Sequence, residues 1–153
     1  GMALRLPGAS SVAQLWERLN AADDMLHDVG GAPRAAGDGW LGRKGVVADE
    51  GVDLQMWGLS AAAAQKMSTE QRTLLGLAHE ALLDAQLDPF DLPGRAGVFV
   101  CGGSLPHLCA DLDELRAERP VEYWEAEVGH DKDYLASVLA YHLGLNGPAE
   151  VVQ

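Results

Sequence analysis

The stretch STEQRTLLGLAHEALLDAQLDP, residues 68–89, carries the clearest fold signal in the chain. Ser68 and Gln71 have capping-box spacing, in which each side chain can satisfy a free backbone N–H of a first helical turn. A broad apolar face follows, formed by Leu74, Leu75, Ala78, Ala81, Leu82 and Ala85. This pattern predicts a largely buried helix that ends before Asp88-Pro89.

Two more helices are predicted on the N-terminal side of this segment. Ser11 and Gln14 repeat the capping-box pattern. Apolar residues then recur at helical spacing: Val12, Leu15, Trp16 and Leu19. Ser60 predicts the cap of a short, alanine-rich helix over 61–67.

Apolar runs between these helices predict strands. Residues 96–101, AGVFVC, and residues 149–153, AEVVQ, are each typical of a buried strand. The Gly- and Pro-rich residues 28–45 predict a long loop with one short strand near Trp40 and Leu41. Because helices and buried strands alternate, the predicted class is α/β.

The C-terminal third has weaker sequence signals for secondary structure. Residues 104–128 are acidic and suggest irregular structure with one helix near 109–118. Asp131 or Asp133 is expected to open a last helix that runs through His142.

The composition of the chain argues against some classes of function. The chain has 153 residues, of which 48% are hydrophobic, and a formal net charge of −12. This charge argues against binding to nucleic acid or to an anionic membrane surface, both of which need clustered Lys and Arg. It fits an acidic surface, or a chain that needs a basic patch elsewhere to meet an acidic partner. No run of 18 apolar residues predicts a membrane span, and we expect a cytoplasmic location.

No residue set predicts a self-contained catalytic or metal site. Cys101, His107 and Cys109 lack a fourth ligand at a familiar spacing, so we expect no metal and two reduced thiols. Gly102-Gly103-Ser104 is only a weak phosphate-loop pattern. The remaining polar candidates are His27, His79, His130, His142, Glu122, Glu125 and Glu127, for which packing, capping or exposure is the simpler expectation. Three tryptophans are expected to pack: Trp16, Trp57 and Trp124.

The order of the motifs is more informative than any one of them. Four stretches follow one another: GMALRLPGASSVAQLWERL from residue 1, VDLQMWGLSAAAAQKMSTEQRTLLGLAHEALLDAQLDP from residue 52, GRAGVFVCG from residue 94 and GHDKDYLASVLAYHLGLNGPAEVVQ from residue 129. This succession resembles the N-terminal portion of the β-ketoacyl synthase (ketosynthase) domain of modular polyketide synthases. The last stretch is most similar to ketosynthases whose acyltransferase acts in trans.

The resemblance implies a thiolase-like α-β-α-β-α sandwich that is incomplete here and works as a homodimer. The implied reaction is decarboxylative Claisen condensation, with acyl groups carried on the phosphopantetheine arm of an acyl carrier protein and no cofactor bound directly. A first strand is expected before Gly1, the nucleophilic Cys just after Gln153, and two catalytic histidines further on. Residues 1–153 would then contain no catalytic residue and be inactive without the remainder of the domain. They would supply scaffold, dimer interface and part of the acyl pocket, at Val128, Gly129 and His130.

Departures from the family pattern leave an alternative open. The family's Pro-Arg-Glu-Ala is Ala61 to Ala64 here, its Asn is His130, and an Arg is replaced by Val138. Loss of a buried Arg removes charge-assisted hydrogen bonds that its partners would need, unless those partners changed as well. The alternative is therefore a divergent, non-elongating or structural ketosynthase-like domain. An independent acidic binding module would need a stable monomer of these residues alone.

Overall fold

The computed structural model describes residues 1–28, 42–47, 55–103 and 116–152. These residues form two units, one of residues 2–50 and one of Gly1 with residues 51–153. Each unit contains both helix and paired strands, which confirms the predicted α/β class.

The smaller unit contains helix α1, Val12–Ala21. Ser11 caps it as predicted, because its hydroxyl accepts a hydrogen bond from the Gln14 backbone N–H at 3.2 Å. The Gln14 side chain, however, accepts from the backbone N–H of Ser10, at 2.9 Å, and not from that of Ser11. The reciprocal half of the predicted capping box is therefore displaced by one residue.

The same unit contains two short antiparallel strands, β1 (His27–Asp28) and β2 (Arg43–Lys44). The Arg43 guanidinium lies 2.7 Å from the Asp24 carboxylate. The pKa of Asp24 lies below its usual value. The main cause is a hydrogen bond from the Leu26 backbone N–H, and the second is the hydrogen bond from Arg43. The strand predicted near Trp40 and Leu41 falls outside the described residues.

The larger unit contains the longest predicted helix and most of the other predicted elements. In chain order they are a 3-10 turn (Gln55–Trp57), α2 (Ala61–Lys66), α3 (Thr69–Asp84), β3 (Val98–Val100), α4 (Pro120–His130), a second 3-10 turn (Lys132–Tyr134), α5 (Leu135–His142) and β4 (Ala149–Val151). Strands β3 and β4 pair in parallel, with Phe99 opposite Glu150. The parallel pairing and the helical segments between these strands fit an α/β unit.

The core of this unit lies between α3 and the C-terminal end of α5. Leu75 is completely buried and packs with Leu143. Partly buried residues surround this pair: Trp57, Leu59, Ala64, Ala78 and Leu145. Leu135, Ala136 and Leu139 are also buried, so α5 turns an apolar face inward from its start as far as Leu139.

Several local predictions are wrong. Residues 120–128 are helical, and Pro120 at the first helical position is a start signal that the acidic composition obscured. Phe99 is 63% exposed and Glu150 is exposed, because each strand has only the other as a neighbour among the described residues. By contrast, helix α3 ends at Asp84, before Asp88-Pro89 as predicted, and Gln86 adopts a left-handed φ of 59° that a helix cannot continue.

The packing predicted for the tryptophans holds for one of the three. Trp57 packs against the core. Trp16 is 66% exposed and Trp124 is 59% exposed, so their predicted packing is wrong within the part of the chain that the structure describes. Each of these side chains lies on a helix face that the described residues leave largely uncovered.

Replacing Ser68 by alanine is expected to lower the free energy of unfolding by about 1–2 kcal/mol. Ser68 is buried, and its hydroxyl accepts from the Gln71 backbone N–H at 3.1 Å. Urea unfolding measures the change. Ser60→Ala is the matched control, because it removes the same kind of cap from the exposed start of α2. An equal loss of free energy in both variants would mean that the buried Ser68 cap stabilises the protein no more than the exposed Ser60 cap does.

Candidate functional site

An open groove of about 760 Å³ lies in the larger unit. Helices α2, α4 and α5 supply most of its walls. Its lining includes Ala63, Lys66, Gln71, Trp124, Glu125, Val128, Gly129, Val138 and His142. The lining is mainly apolar, which suits an alkyl chain or an apolar protein surface better than a charged ligand.

The predicted substrate-binding residues lie at the C-terminal end of α4. Val128 and Gly129 line the groove, whereas His130, the last residue of α4, is half-buried and does not. The structure therefore brings two of the three residues to one surface. Their predicted contact with an acyl chain stays a prediction.

Helix α3 holds this end of α4 through two hydrogen bonds. The Gln71 side-chain amide donates to the Val128 carbonyl at 2.8 Å, and the Ser68 backbone N–H donates to the Gly129 carbonyl at 2.7 Å. Gln71 thus links two helices and does not complete the capping box predicted for it. Sequence spacing predicted the hydrogen bond from the Gln71 backbone N–H to Ser68, but it could not show which backbone group the Gln71 side chain binds.

Close approach of α4 to the end of α2 explains the glycine at position 129. A Cβ atom there would overlap the backbone carbonyl of Lys66. Arg72 also fixes this end of α2, since its guanidinium donates to the carbonyls of Ala64, at 3.2 Å, and Met67, at 2.7 Å. The loop between α2 and α3 is therefore held from two sides.

Two polar features interrupt the apolar lining. The Lys66 ammonium and the Glu125 carboxylate form an ion pair between α2 and α4. Both side chains are partly exposed, so the pair contributes little to stability. Gln71 is 1% exposed, and its Oε1 has no hydrogen-bond partner among the described residues. The oxygen therefore has unused acceptor capacity among the described residues.

Partial burial lowers the pKa of His142 below its usual value near 6.5. As the pH falls through 6.5, the unfolded chain therefore takes up this proton before the folded chain does, and stability falls. His142→Gln should flatten the fall in thermal midpoint between about pH 7.5 and pH 5.5. Melting curves at the two pH values test this. Parallel profiles for the two proteins would contradict it.

Among the described residues, the other polar candidates do not form a catalytic set. In the described ranges, no group of His, Cys, Asp and Glu could hold a metal ion, and Cys101 is an exposed free thiol. His107, Cys109 and Ser104 lie outside those ranges. The ring of His79 packs against the rings of Trp57 and Phe90, with centroid distances of 5.5 and 5.9 Å. Glu122 forms an ion pair with Arg119, and Glu125 forms one with Lys66.

None of the helices described is both long and apolar enough to cross a membrane.

The β-ketoacyl synthase, N-terminal domain, family model matches residues 1–153. A component of the phenolphthiocerol/phthiocerol polyketide synthase of Mycobacterium tuberculosis is 28% identical over 170 residues, which cover 100% of this chain and 11% of that protein. Pikromycin polyketide synthase component PikAII of Streptomyces venezuelae is 32% identical over 169 residues, covering 99% of this chain and 4% of that protein.

Solved structures give the same result for the fold. The oxazolomycin ketosynthase domain OzmH KS7 of Streptomyces albus JA3453 matches with a TM-score of 0.77 and 20% identity, over 99% of this chain and 28% of that one. The chain therefore has the fold of part of a thiolase-like ketosynthase domain. It spans about a quarter of the solved ketosynthase and about a tenth or less of the curated synthases named above.

Proposed function

The chain belongs to the β-ketoacyl synthase family, and on that premise we propose that it forms part of a condensing ketosynthase domain of a polyketide synthase. The observation that carries this proposal is the family match over residues 1–153, together with the ketosynthase fold. The proposed reaction extends an acyl thioester by a malonyl unit with loss of CO2.

In this proposal the acyl chain moves from the phosphopantetheine thiol of an acyl carrier protein to a cysteine that follows β4. The thiolate attacks the thioester carbonyl and the carrier thiol leaves. A malonyl thioester on a carrier then loses CO2, and the resulting enolate attacks the acyl-cysteine to release the cysteine thiolate. Two histidines beyond Gln153 would promote decarboxylation, and an oxyanion hole would stabilise the tetrahedral intermediate.

The described residues would contribute support and shape to this reaction. Parallel pairing with β3 positions β4, from which the chain leads toward the expected nucleophile. Val128 and Gly129 are proposed to form part of the acyl pocket, because they line an apolar groove, with His130 adjoining them. The remainder of the domain, a second copy in a homodimer and an acyl carrier protein are the proposed partners, in the cytoplasm.

Condensation can be measured on the complete native polypeptide with an acyl-carrier and a malonyl-carrier substrate. Mass spectrometry should show a β-ketoacyl thioester whose formation depends on both substrates. The matched control is a variant in which the expected cysteine is replaced by alanine. Malonyl decarboxylation without a condensed product would favour the non-elongating alternative, and acyl loading without either reaction would also overturn the condensing role.

A further inference from the structure

The chain that leads into β4 is held by one residue on the β3 side. Both backbone groups of Ala96 bind residues that precede β4. Its carbonyl accepts from the Gly147 N–H at 2.8 Å, and its N–H donates to Asn146 Oδ1 at 3.3 Å. The Val98 N–H then donates to the Pro148 carbonyl at 2.7 Å. Three consecutive residues are therefore bound to the β3 side before β4 begins.

Glycine at position 147 is required by the closeness of these two segments and not by its backbone conformation. Gly147 has no left-handed φ. A Cβ atom there would lie 2.5 Å from the Ala96 carbonyl oxygen and 2.6 Å from the Gly97 nitrogen. Gly97 has a similar limit, since its Cβ would lie 3.0 Å from the Pro148 carbonyl oxygen. Because these neighbours are backbone atoms that cannot rotate aside, a side chain at position 147 must displace the start of β4.

The register set at this point continues to the end of β4. Val151 lies opposite Val100, and the Val152 N–H donates to the Val100 carbonyl at 2.7 Å. Strand β4 has three residues, which span only about 10 Å. A displacement where β4 begins is therefore carried along this short strand to the residues that follow it.

We propose that Gly147 and Asn146 are positioning residues for the nucleophile of the condensing reaction. They act through β4, whose register sets where the cysteine that follows it lies. This inference rests on the proposed function, because only that function places a nucleophile after β4. A misplacement of about 1 Å at a reacting group can cost about a hundredfold in rate.

Single-turnover acylation of the complete native polypeptide measures this role. The probes are the acetyl and hexanoyl thioesters of N-acetylcysteamine, which mimics the end of the phosphopantetheine arm. Mass spectrometry follows acylation of the cysteine after β4. Gly147→Ala should lower the maximum acylation rate about tenfold or more, while the half-saturating thioester concentration stays within about twofold. A raised half-saturating concentration with an unchanged maximum rate would overturn the proposal.

Gly144→Ala is the matched control, because it makes the same change in the turn that precedes β4. Gly144 has a left-handed φ of 61°, so alanine there should lower the thermal midpoint. Its Cβ would meet no atom of the described residues within 4 Å, so the contact with β3 is unchanged. Assayed well below its midpoint, this variant should be acylated at the starting rate. Equal slowing in both variants would attribute the effect to lost stability and overturn the proposal.

Asn146 provides a second test that does not depend on the folding of Gly147→Ala. Asn146→Ala removes the oxygen that accepts from Ala96 and should lower the maximum rate about threefold. Asn146→Asp keeps an acceptor oxygen and should return the rate to within about 1.5-fold of the starting value. An unchanged rate in Gly147→Ala, or in Asn146→Ala if Gly147→Ala does not fold, overturns the positioning role and leaves the proposed function standing. A starting protein that neither probe acylates overturns both.

Discussion

Replacing Leu75 by alanine is expected to lower the free energy of unfolding by about 3–5 kcal/mol. Leu75 is completely buried in α3 and packs with Leu143. The substitution removes apolar contacts and leaves a cavity between α3 and α5 that the surrounding backbone cannot fully close. Urea unfolding followed by tryptophan fluorescence measures the loss, since Trp57 packs against this core.

Leu83→Ala is the control for Leu75→Ala. It makes the same change in the same helix, but Leu83 is 53% exposed. We expect a loss of less than about 1 kcal/mol there. Equal losses for the two variants would mean that the space between α3 and α5 is not the core of this unit.

Replacing Gly129 by alanine is expected to cost about 1–3 kcal/mol or more, because the new Cβ overlaps the backbone carbonyl of Lys66. An opposing gain of about 1 kcal/mol comes from the better helix propensity of alanine within α4. The overlap should prevail, since its partner is backbone that Arg72 also holds through the Ala64 and Met67 carbonyls. The thermal midpoint of the complete polypeptide measures the net effect.

Gly103→Ala is the matched control for Gly129→Ala. A Cβ at Gly103 would meet no atom of the described residues within 4 Å, and no left-handed φ restricts that residue. Its midpoint should stay within about 1 °C of the starting protein, as for most surface substitutions. A stabilising Gly129→Ala would show that α4 does not approach α2 as closely as described.

Local signals in the sequence predicted the helices that begin with a serine cap. Ser11, Ser60 and Ser68 each accept a hydrogen bond from the backbone N–H three residues later. Such bonds depend on short-range geometry, so spacing alone identifies them. Helix α4 has Arg119 and not Ser, Thr, Asp or Asn at its cap position, so its local start signal is Pro120, which lies in an acidic stretch.

The candidate site was only partly predictable for a related reason. Motif resemblance indicated Val128, Gly129 and His130, but the groove places only the first two on its surface. The bond from Gln71 to Val128 joins residues that are far apart in sequence. No local pattern encodes such a contact.

We propose that this chain belongs to a condensing domain whose nucleophile follows β4. The most direct test of this proposal is to incubate the complete native polypeptide with an acyl thioester and map the acylated peptide by mass spectrometry. The account predicts the acyl group on a cysteine within a few residues after Gln153. A peptide that continues past Gln153 without such a cysteine, or an acyl group on a different residue, would contradict it.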